Sequence, residues 1–230
     1  MSVPISSSNP IDAGVPGRSA QREYERRAAK QELELDEKCG TGRIGRLAKV
    51  FTSEPQSTAA WAKGSVGEHR LGLRLSRDLA DVGVVLHDRA VSGTERNIDH
   101  LVVAPCGIWI IDAKSCKGRV DRRDCGDWGH EDRRVYVDGK DRTNLVSEMT
   151  WQTDTVQPIL ESIGFGDVPI HRVRCLTDSE WSIFTRPFQI DDVWIIWAKR
   201  LVKMARESGP LDDHDIRTIA THLAETLPPA

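Results

Sequence analysis

The chain has almost no excess of either charge and no long apolar run. Its 230 residues include 32 Lys and Arg against 35 Asp and Glu, a formal net charge of −3. This balance argues against a uniformly basic nucleic-acid binder and leaves room for a local basic patch. The longest apolar segments, residues 108–111 and 193–198, are far shorter than the roughly 18–20 residues that cross a membrane. We therefore expect one apolar core and no membrane span.

Cysteine is also scarce. The five cysteines are an odd number at irregular spacing, without a C-x-x-C pair, which favours reduced thiols over a disulfide framework. Cys116, Cys125 and His130 with a fourth cysteine could be imagined as zinc ligands, but cysteines in apolar strands are more commonly small buried residues. Residues 1–14 lack the basic-then-apolar pattern of a secretory signal. We expect a cytoplasmic location.

One stretch, residues 96–118, organises the remainder of the sequence. Its segments Asn97–Ala104 and 108–114 are rich in Val, Ile and Trp, and a Pro-Cys-Gly run at residues 105–107 separates them. Apolar, β-branched segments on either side of turn residues predict a β-hairpin. Three charged side chains interrupt these apolar strands: Asp99, Asp112 and Lys114.

The geometry of the turn decides whether these charges meet. Side chains alternate along a strand, so Asp112 and Lys114 share a face. A two-residue loop at Cys106 and Gly107 would place Asp99 across from Lys114 and diagonal to Asp112, whereas a simple three-residue loop would turn Asp99 to the other face. Charges at the ends of apolar strands are costly to desolvate unless they pair or hold a metal ion. The sequence therefore allows two interpretations of these charges. They form an Asp-Lys ion pair, or the carboxylates form a site for a hard cation such as Mg²⁺.

At these same positions the chain resembles a known family, the nuclease-related domain (NERD) of the PD-(D/E)XK nuclease superfamily. The spaced pattern is Glu, then Asp, then Asp-x-Lys in an apolar strand, and the matching residues are Gly67-Glu68, Ile98-Asp99-His100, the run from Gly107 to Lys114, and Lys117-Gly118. The resemblance extends from about residue 55 to about residue 160. It implies an α/β fold with a mixed central β-sheet flanked by helices, a restriction-endonuclease-like core.

The resemblance also implies a domain division and a chemistry. Residues 55–230 would form the NERD-like domain, and residues 1–54 a disordered or helical charged extension and linker. The expected activity is metal-dependent hydrolysis of phosphodiester bonds, in DNA rather than RNA. The expected site comprises metal ligands for Mg²⁺ or Mn²⁺ from Asp99, Asp112 and the Ala113 carbonyl, the catalytic Lys114, and supporting Glu68 and Gln152. The alternative is a non-catalytic nucleic-acid or protein interaction module that retains the nuclease fold.

Glu68 has two interpretations of equal weight. A helix is predicted from Ser65, with Glu68 on the same narrow stripe as Leu71, Leu75 and Leu79. In that position Ser65 and Glu68 would form a capping box, in which the Glu68 carboxylate bonds back to the Ser65 N–H. The resemblance instead makes Glu68 an acidic residue of the active site.

Gln152 likewise occupies a position that predicts burial. A helix over residues 143–163, with Gly164 as its C-terminal stop, places Gln152 on the apolar stripe with Met149 and Val156. On physical grounds such a residue is a core Gln bonded to a backbone group. The resemblance places it near the active site.

The remaining segments alternate between strand and helix. Residues 1–17, rich in Ser, Pro and Gly, predict disorder, and the charged residues 18–38 predict an exposed helix or a mobile segment. Residues 121–134 predict a loop, with a strand at 135–137 and a tight turn after it. Strands at 168–176 and 193–197 precede a helix at 198–207 and a final amphipathic helix capped by Asp212 or Asp213.

Overall fold

The computed structural model describes residues 10–39, 56–147 and 149–230. In chain order these form α1 (Arg18–Cys39), α2 (Gln56–Asp78), β1 (Val84–Ala90), β2 (Asn97–Ala104), β3 (Gly107–Lys114), β4 (Gly118–Asp124), β5 (Arg133–Val137), β6 (Lys140–Asp141), α3 (Asn144–Ser147), α4 (Thr150–Ser162), β7 (Ile170–Leu176), β8 (Ser179–Glu180), β9 (Phe188–Ile190), β10 (Val193–Ile196), α5 (Ala198–Ala205) and α6 (Asp213–Thr226). None of the helices in these ranges is long and apolar enough to cross a membrane.

A six-stranded mixed sheet forms the centre of the fold. Its strand order is β1-β2-β3-β7-β10-β9, antiparallel from β1 to β3 and from β10 to β9, and parallel where β7 lies between β3 and β10. The strands are apolar on both sides because both faces are covered. One face packs against α2 and α5, and the other packs against α4, α6 and the β4–β5 ribbon. The predicted α/β fold, a mixed sheet flanked by helices, is confirmed.

A second, four-stranded sheet has the order β6-β5-β4-β8. The tight turn predicted after β5 is confirmed, since Asp138 and Gly139 both have positive φ, of 51° and 74°. The loop predicted at residues 121–134 is shorter than expected. Backbone pairing extends β4 to Asp124, opposite Arg133, because alternating side chains let charged residues occupy the exposed face of a ribbon.

Two helix predictions are wrong in their bounds. Helix α2 begins at Gln56 instead of Ser65, because residues 56–63 are mostly good helix formers. Ser65 therefore lies in the helix interior, and the capping box with Glu68 does not form. The helix predicted over residues 143–163 is divided into α3 and α4, because the Arg174 guanidinium binds the Leu145 carbonyl that a continuous helix would use internally.

The segment before α1 is ordered where the structure describes it. Residues 10–17, for which composition predicts disorder, lie along β1: the His87 N–H donates to the Ala13 carbonyl at 2.7 Å, and Arg89 Nη1 donates to the Asp12 carbonyl at 3.0 Å. The sequence allowed either an exposed helix or a mobile segment after residue 17, and residues 18–39 form the helix. Residues 1–9 and 40–55, to which the predicted disorder and linker also apply, lie outside the described residues.

Candidate active site

The β2–β3 hairpin brings Asp99 and Asp112 to the same end of the central sheet. The register runs from Ala104 opposite Gly107 to His100 opposite Ile111, so one further step places Asp99 opposite Asp112. Opposed side chains on an antiparallel pair project to the same face. The Ala113 N–H donates a hydrogen bond to Asp99 Oδ2 at 2.9 Å, which fixes this carboxylate against β3.

Neither of the two turns considered from the sequence forms. The two-residue turn is formed by Pro105 and Cys106, and Gly107 is already the first residue of β3. Gly107 has a φ of 131°, and a Cβ at this position would lie 2.3 Å from the Pro169 carbonyl oxygen. The close approach of the segment at Pro169 therefore requires glycine at position 107 and fixes the position of the turn. Asp99 opposes Asp112 instead of Lys114, and the two carboxylates are closer in register than the diagonal arrangement predicted.

Glu68 reaches the same region from α2. Its apolar stripe is confirmed, since Leu71, Leu75 and Leu79 are buried, and Glu68 itself is 6% exposed. Burial, followed by the negative charges of Asp88 and Asp112, raises the pKa of Glu68 to about 8, against a hydrogen bond from the Gly17 N–H that lowers it. Its Oε1 has no hydrogen-bond partner in the described part of the chain.

Asp99 responds to the same surroundings. Burial, followed by the charges of Asp112 and Glu68, raises the pKa of Asp99 well above its usual value, while the Ala113 N–H and Arg174 oppose the shift. The carboxylates of Glu68, Asp99 and Asp112 thus act on one another electrostatically. Such a cluster either retains protons or gains stability from a cation.

Gln152 lies on α4 and is 2% exposed. Its Oε1 has no hydrogen-bond partner among the described residues, whereas a Gln serving only as a core residue would pair this oxygen with a backbone donor. An unpaired amide oxygen is a suitable acceptor for a metal-bound water or a hard cation.

Lys114 is exposed at the end of β3 and forms no ion pair with either aspartate in the described structure. The Asp-Lys ion pair considered from the sequence therefore does not form among the described residues, and Lys114 is not the partner of Asp112. Arg174 takes that role, because β7 pairs in parallel with β3 and places Arg174 directly beside Asp112. A cleft of about 620 Å³ lies next to the end of β3. Its lining includes Ser115, the residue after Lys114, and consists of Val66, Arg70, Ser115, Lys117, Gly118, Asp178 and Glu180.

Sequence reasoning did not identify Arg174. It is fully buried, at 0% exposure, and its Nη1 contacts Asp112 Oδ1. Its Nε and Nη2 donate to the Leu145 carbonyl at 3.0 and 2.6 Å. The available signal was an arginine next to Val173 and Cys175 in a predicted strand, since a buried charge in a strand needs a partner. Arg172 on the same strand gives the same signal, so the sequence alone does not single out Arg174.

The donors present fit a magnesium or manganese ion. Among the described residues, no group of three His, Cys, Asp or Glu forms a complete metal cage. Mg²⁺ does not require one, because it commonly takes one or two carboxylates and retains several waters. Asp99 and Asp112 supply carboxylate oxygens at one end of the β2–β3 hairpin, beside Ala113. Glu68 is close enough to Asp112 for the two charges to interact, and Glu68 and Gln152 each carry a buried oxygen without a partner among the described residues.

Comparison with known proteins gives one result. The sequence pattern of the nuclease-related domain matches residues 63–177, which is half of the chain and includes most of α2, the β2–β3 hairpin, Gln152 and Arg174. No curated protein and no solved structure matches the chain. The matched region contains the Glu, Asp and Asp-x-Lys positions whose geometry is described above. The chain belongs to the nuclease-related domain (NERD) family.

Proposed function

We propose that this chain is a metal-dependent nuclease that hydrolyses phosphodiester bonds in DNA. The observation that carries the proposal is the placement of Asp99 across from Asp112 on the β2–β3 hairpin. Glu68 interacts with this pair electrostatically: burial, Asp88 and Asp112 raise the pKa of Glu68 to about 8, and burial, Asp112 and Glu68 raise that of Asp99 well above its usual value. A protein gains nothing in stability from crowding carboxylates, so such a cluster favours a site that uses them. Membership of a nuclease-related family supports the same reaction.

Each site residue has a role in this proposal. Mg²⁺ or Mn²⁺ would be held by Asp99, Asp112 and the Ala113 carbonyl, and when bound it would lower the pKa of a water and offset charge on the phosphate. Lys114, exposed beside the site, would orient the attacking water and stabilise the negative phosphate oxygens. Glu68 and Gln152 would accept hydrogen bonds from waters in the site through their unpaired oxygens.

The substrate would approach through the cleft next to β3. Arg70 and Lys117 contribute positive charge to its lining, and Asp178 and Glu180 contribute negative charge. Asp178 accepts a hydrogen bond from the Ser115 hydroxyl at 2.5 Å. This mixed lining suits a few phosphate contacts better than a long electrostatic track. We also propose residues 55–230 as the nuclease domain and the cytoplasm as its location.

A cleavage assay tests the proposal. The full chain is incubated with supercoiled plasmid, linear duplex, single-stranded DNA and RNA, each in EDTA, Mg²⁺ or Mn²⁺. We expect cleavage of DNA that requires the metal and is lost in Asp112→Ala. Asp121→Ala, which removes an aspartate from the β4 ribbon, serves as the matched control and should cleave normally. Absence of cleavage in every lane by folded protein would reject the enzyme.

The alternative of a non-catalytic interaction module has one observation in its favour. Arg174 already neutralises Asp112, and an ion pair of this kind stabilises a carboxylate without a metal. The two functions differ in metal binding, because an interaction module has no need of a carboxylate-dependent Mg²⁺ site. Titration with Mn²⁺ of the wild type and of Asp99→Asn therefore separates them independently of the nucleic acid chosen.

A further inference from the structure

Arg174 is held in place by the backbone as well as by Asp112. Two of its guanidinium nitrogens donate to the same Leu145 carbonyl, at 3.0 and 2.6 Å, while Nη1 contacts Asp112 Oδ1. The side chain is fully buried. A planar guanidinium with fixed donors on two sides cannot rotate away from one partner without losing the other. The positive charge is therefore a permanent part of the carboxylate cluster.

The contact divides the two oxygens of Asp112. Oδ1 is engaged by Arg174, which leaves Oδ2 for another partner, and the side chain is 22% exposed. A carboxylate that bridges two divalent ions uses both oxygens, with the ions about 3.5–4 Å apart. The guanidinium occupies the side from which a second ion would approach Oδ1, and its charge opposes any further cation there.

We propose that Arg174 is a positioning residue that presents Asp112 Oδ2 to a single divalent ion and excludes a second one. The inference rests on the proposed metal-dependent function and deepens it, because it fixes the number of ions in the site. Asp99 agrees with this arrangement, since its carboxylate is bound by the Ala113 N–H through Oδ2 and so also has one oxygen committed to the protein.

The break between α3 and α4 supports a dedicated role for Arg174. Its binding to Leu145 diverts a carbonyl from a continuous helix, and the Met149 N–H instead donates to Val146 at 3.2 Å. Gln152 follows on α4 and is buried. The same arginine thus contacts a catalytic carboxylate and sets the start of the helix that carries the buried amide.

The test is the stoichiometry of Mn²⁺ binding to the full chain, measured by calorimetry and by electron paramagnetic resonance. We expect one ion per wild-type chain and two per Arg174→Met chain, because loss of the guanidinium frees Oδ1 and removes the repulsive charge. Arg174→Lys keeps the charge and should again bind one. The matched control is Arg172→Met, two residues earlier on β7, where the side chain bonds the Asp191 carbonyl and no site carboxylate; it should bind one ion.

Cleavage by the same variants separates the inference from the function on which it rests. Arg174→Met should cleave at least tenfold more slowly even with saturating metal, with Arg174→Lys partly restored. Two ions in the wild type, or one in Arg174→Met with unchanged affinity, would overturn the inference even if the nuclease is active. One ion without cleavage would reject the nuclease and keep the inference, and no ion at all would reject both. If Arg174→Met fails to fold, the neutral Arg174→Gln provides the same readout.

Discussion

Two arginines, Arg89 on β1 and Arg174 on β7, are fully buried in the described structure, and their partners differ. Arg89 donates to three backbone carbonyls, those of Leu227 at 2.6 Å, Ala224 at 2.8 Å and Asp12 at 3.0 Å. Arg174 donates to one carbonyl and to the carboxylate of Asp112. One arginine joins the end of α6 to the segment before α1, and the other enters the carboxylate cluster.

The difference shows that burial alone does not identify a functional charge. Burial lowers the pKa of Arg89, against the charges of Asp12 and Asp88, which raise it. Cations at the end of a helix are favourable partners for its last carbonyls, so the function of Arg89 is structural. Arg174 instead contacts the carboxylate of Asp112, the side chain that we propose as a metal ligand. We expect substitution of Arg89 to affect stability and substitution around Arg174 to affect chemistry.

The largest effect is expected at Asp112, the partner that distinguishes Arg174 from Arg89. Asp112→Asn should reduce cleavage roughly 10³-fold or more, because a neutral amide is a poor metal ligand. The asparagine oxygen can still accept from Arg174, so the fold should stay intact, but the buried guanidinium loses its counter-charge and the thermal unfolding midpoint should fall. Cleavage is therefore compared per folded molecule. The measurement pairs plasmid cleavage in Mg²⁺ with circular dichroism, and Asp121→Asn is the control. Activity near that of the wild type would remove the proposed metal site.

The next effect concerns the structural arginine. Arg89→Met should lower the free energy of unfolding by about 3 kcal/mol, because three carbonyls lose their donor and the loss of each is costly. Urea unfolding measures this change. Cleavage per folded molecule should fall far less than in Asp112→Asn. A variant with normal stability and no cleavage would reverse the assignment of the two arginines.

A smaller effect depends on pH. Glu68 keeps its proton to about pH 8 when folded, and an ordinary Glu loses it near 4.5, so metal-free stability should fall as pH rises through this window, by up to about 1.4 kcal/mol per pH unit. His87 acts in the opposite direction below pH 6.5, since burial lowers its pKa to about 4. The range from pH 6.5 to 8 is therefore left to Glu68 and to Asp99, whose pKa is also raised.

Glu68→Gln isolates this contribution. The variant should lose the part of the fall between pH 6.5 and 8 that comes from Glu68 and keep the part that comes from Asp99, whose pKa is also raised, as measured by urea unfolding in EDTA. Added Mg²⁺ should stabilise the wild type more at pH 8 than at pH 6.5, because metal binding requires ionised carboxylates. Parallel pH profiles for the wild type and Glu68→Gln would show that Glu68 titrates normally.

The smallest effect is at the other end of α6, the helix that Arg89 holds at its C-terminus. Asp212 caps the helix by accepting from the N–H groups of His214 at 2.8 Å and Asp215 at 2.9 Å. Asp212→Ala should lower the free energy of unfolding by about 1 kcal/mol. Asp213→Ala, which removes a first-turn charge without a cap, should lower it by about 0.3 kcal/mol. Equal losses would show that charge, instead of capping, stabilises this end.

Local patterns predicted much of the fold. The apolar hairpin, the Leu71-Leu75-Leu79 stripe and a cap at Asp212 or Asp213 were predicted from residues that are neighbours along the chain or along one helix. The structure confirms them, with Asp212 as the cap. The roles assigned to the site residues stay predictions.

Contacts between distant segments account for what the sequence did not predict. The hairpin register depends on Pro169, whose carbonyl leaves room only for glycine at position 107. The pairing of Arg174 with Asp112 joins residues 62 positions apart, and no local pattern shows which strand lies beside which. The division of α3 from α4 follows from the bonds of the same arginine to the Leu145 carbonyl, so both were missed together.

The segment before α1 has a consequence for how this protein can be divided. The family match begins at residue 63, inside α2, and ends at residue 177. A fragment with those ends would lose Gly17, whose N–H bonds Glu68. It would also lose β10, the neighbour of β7, and leave β7 as an unpaired edge strand, which is a known cause of aggregation. The unit recognised by its pattern is therefore smaller than the unit that can be expected to remain soluble and retain its site.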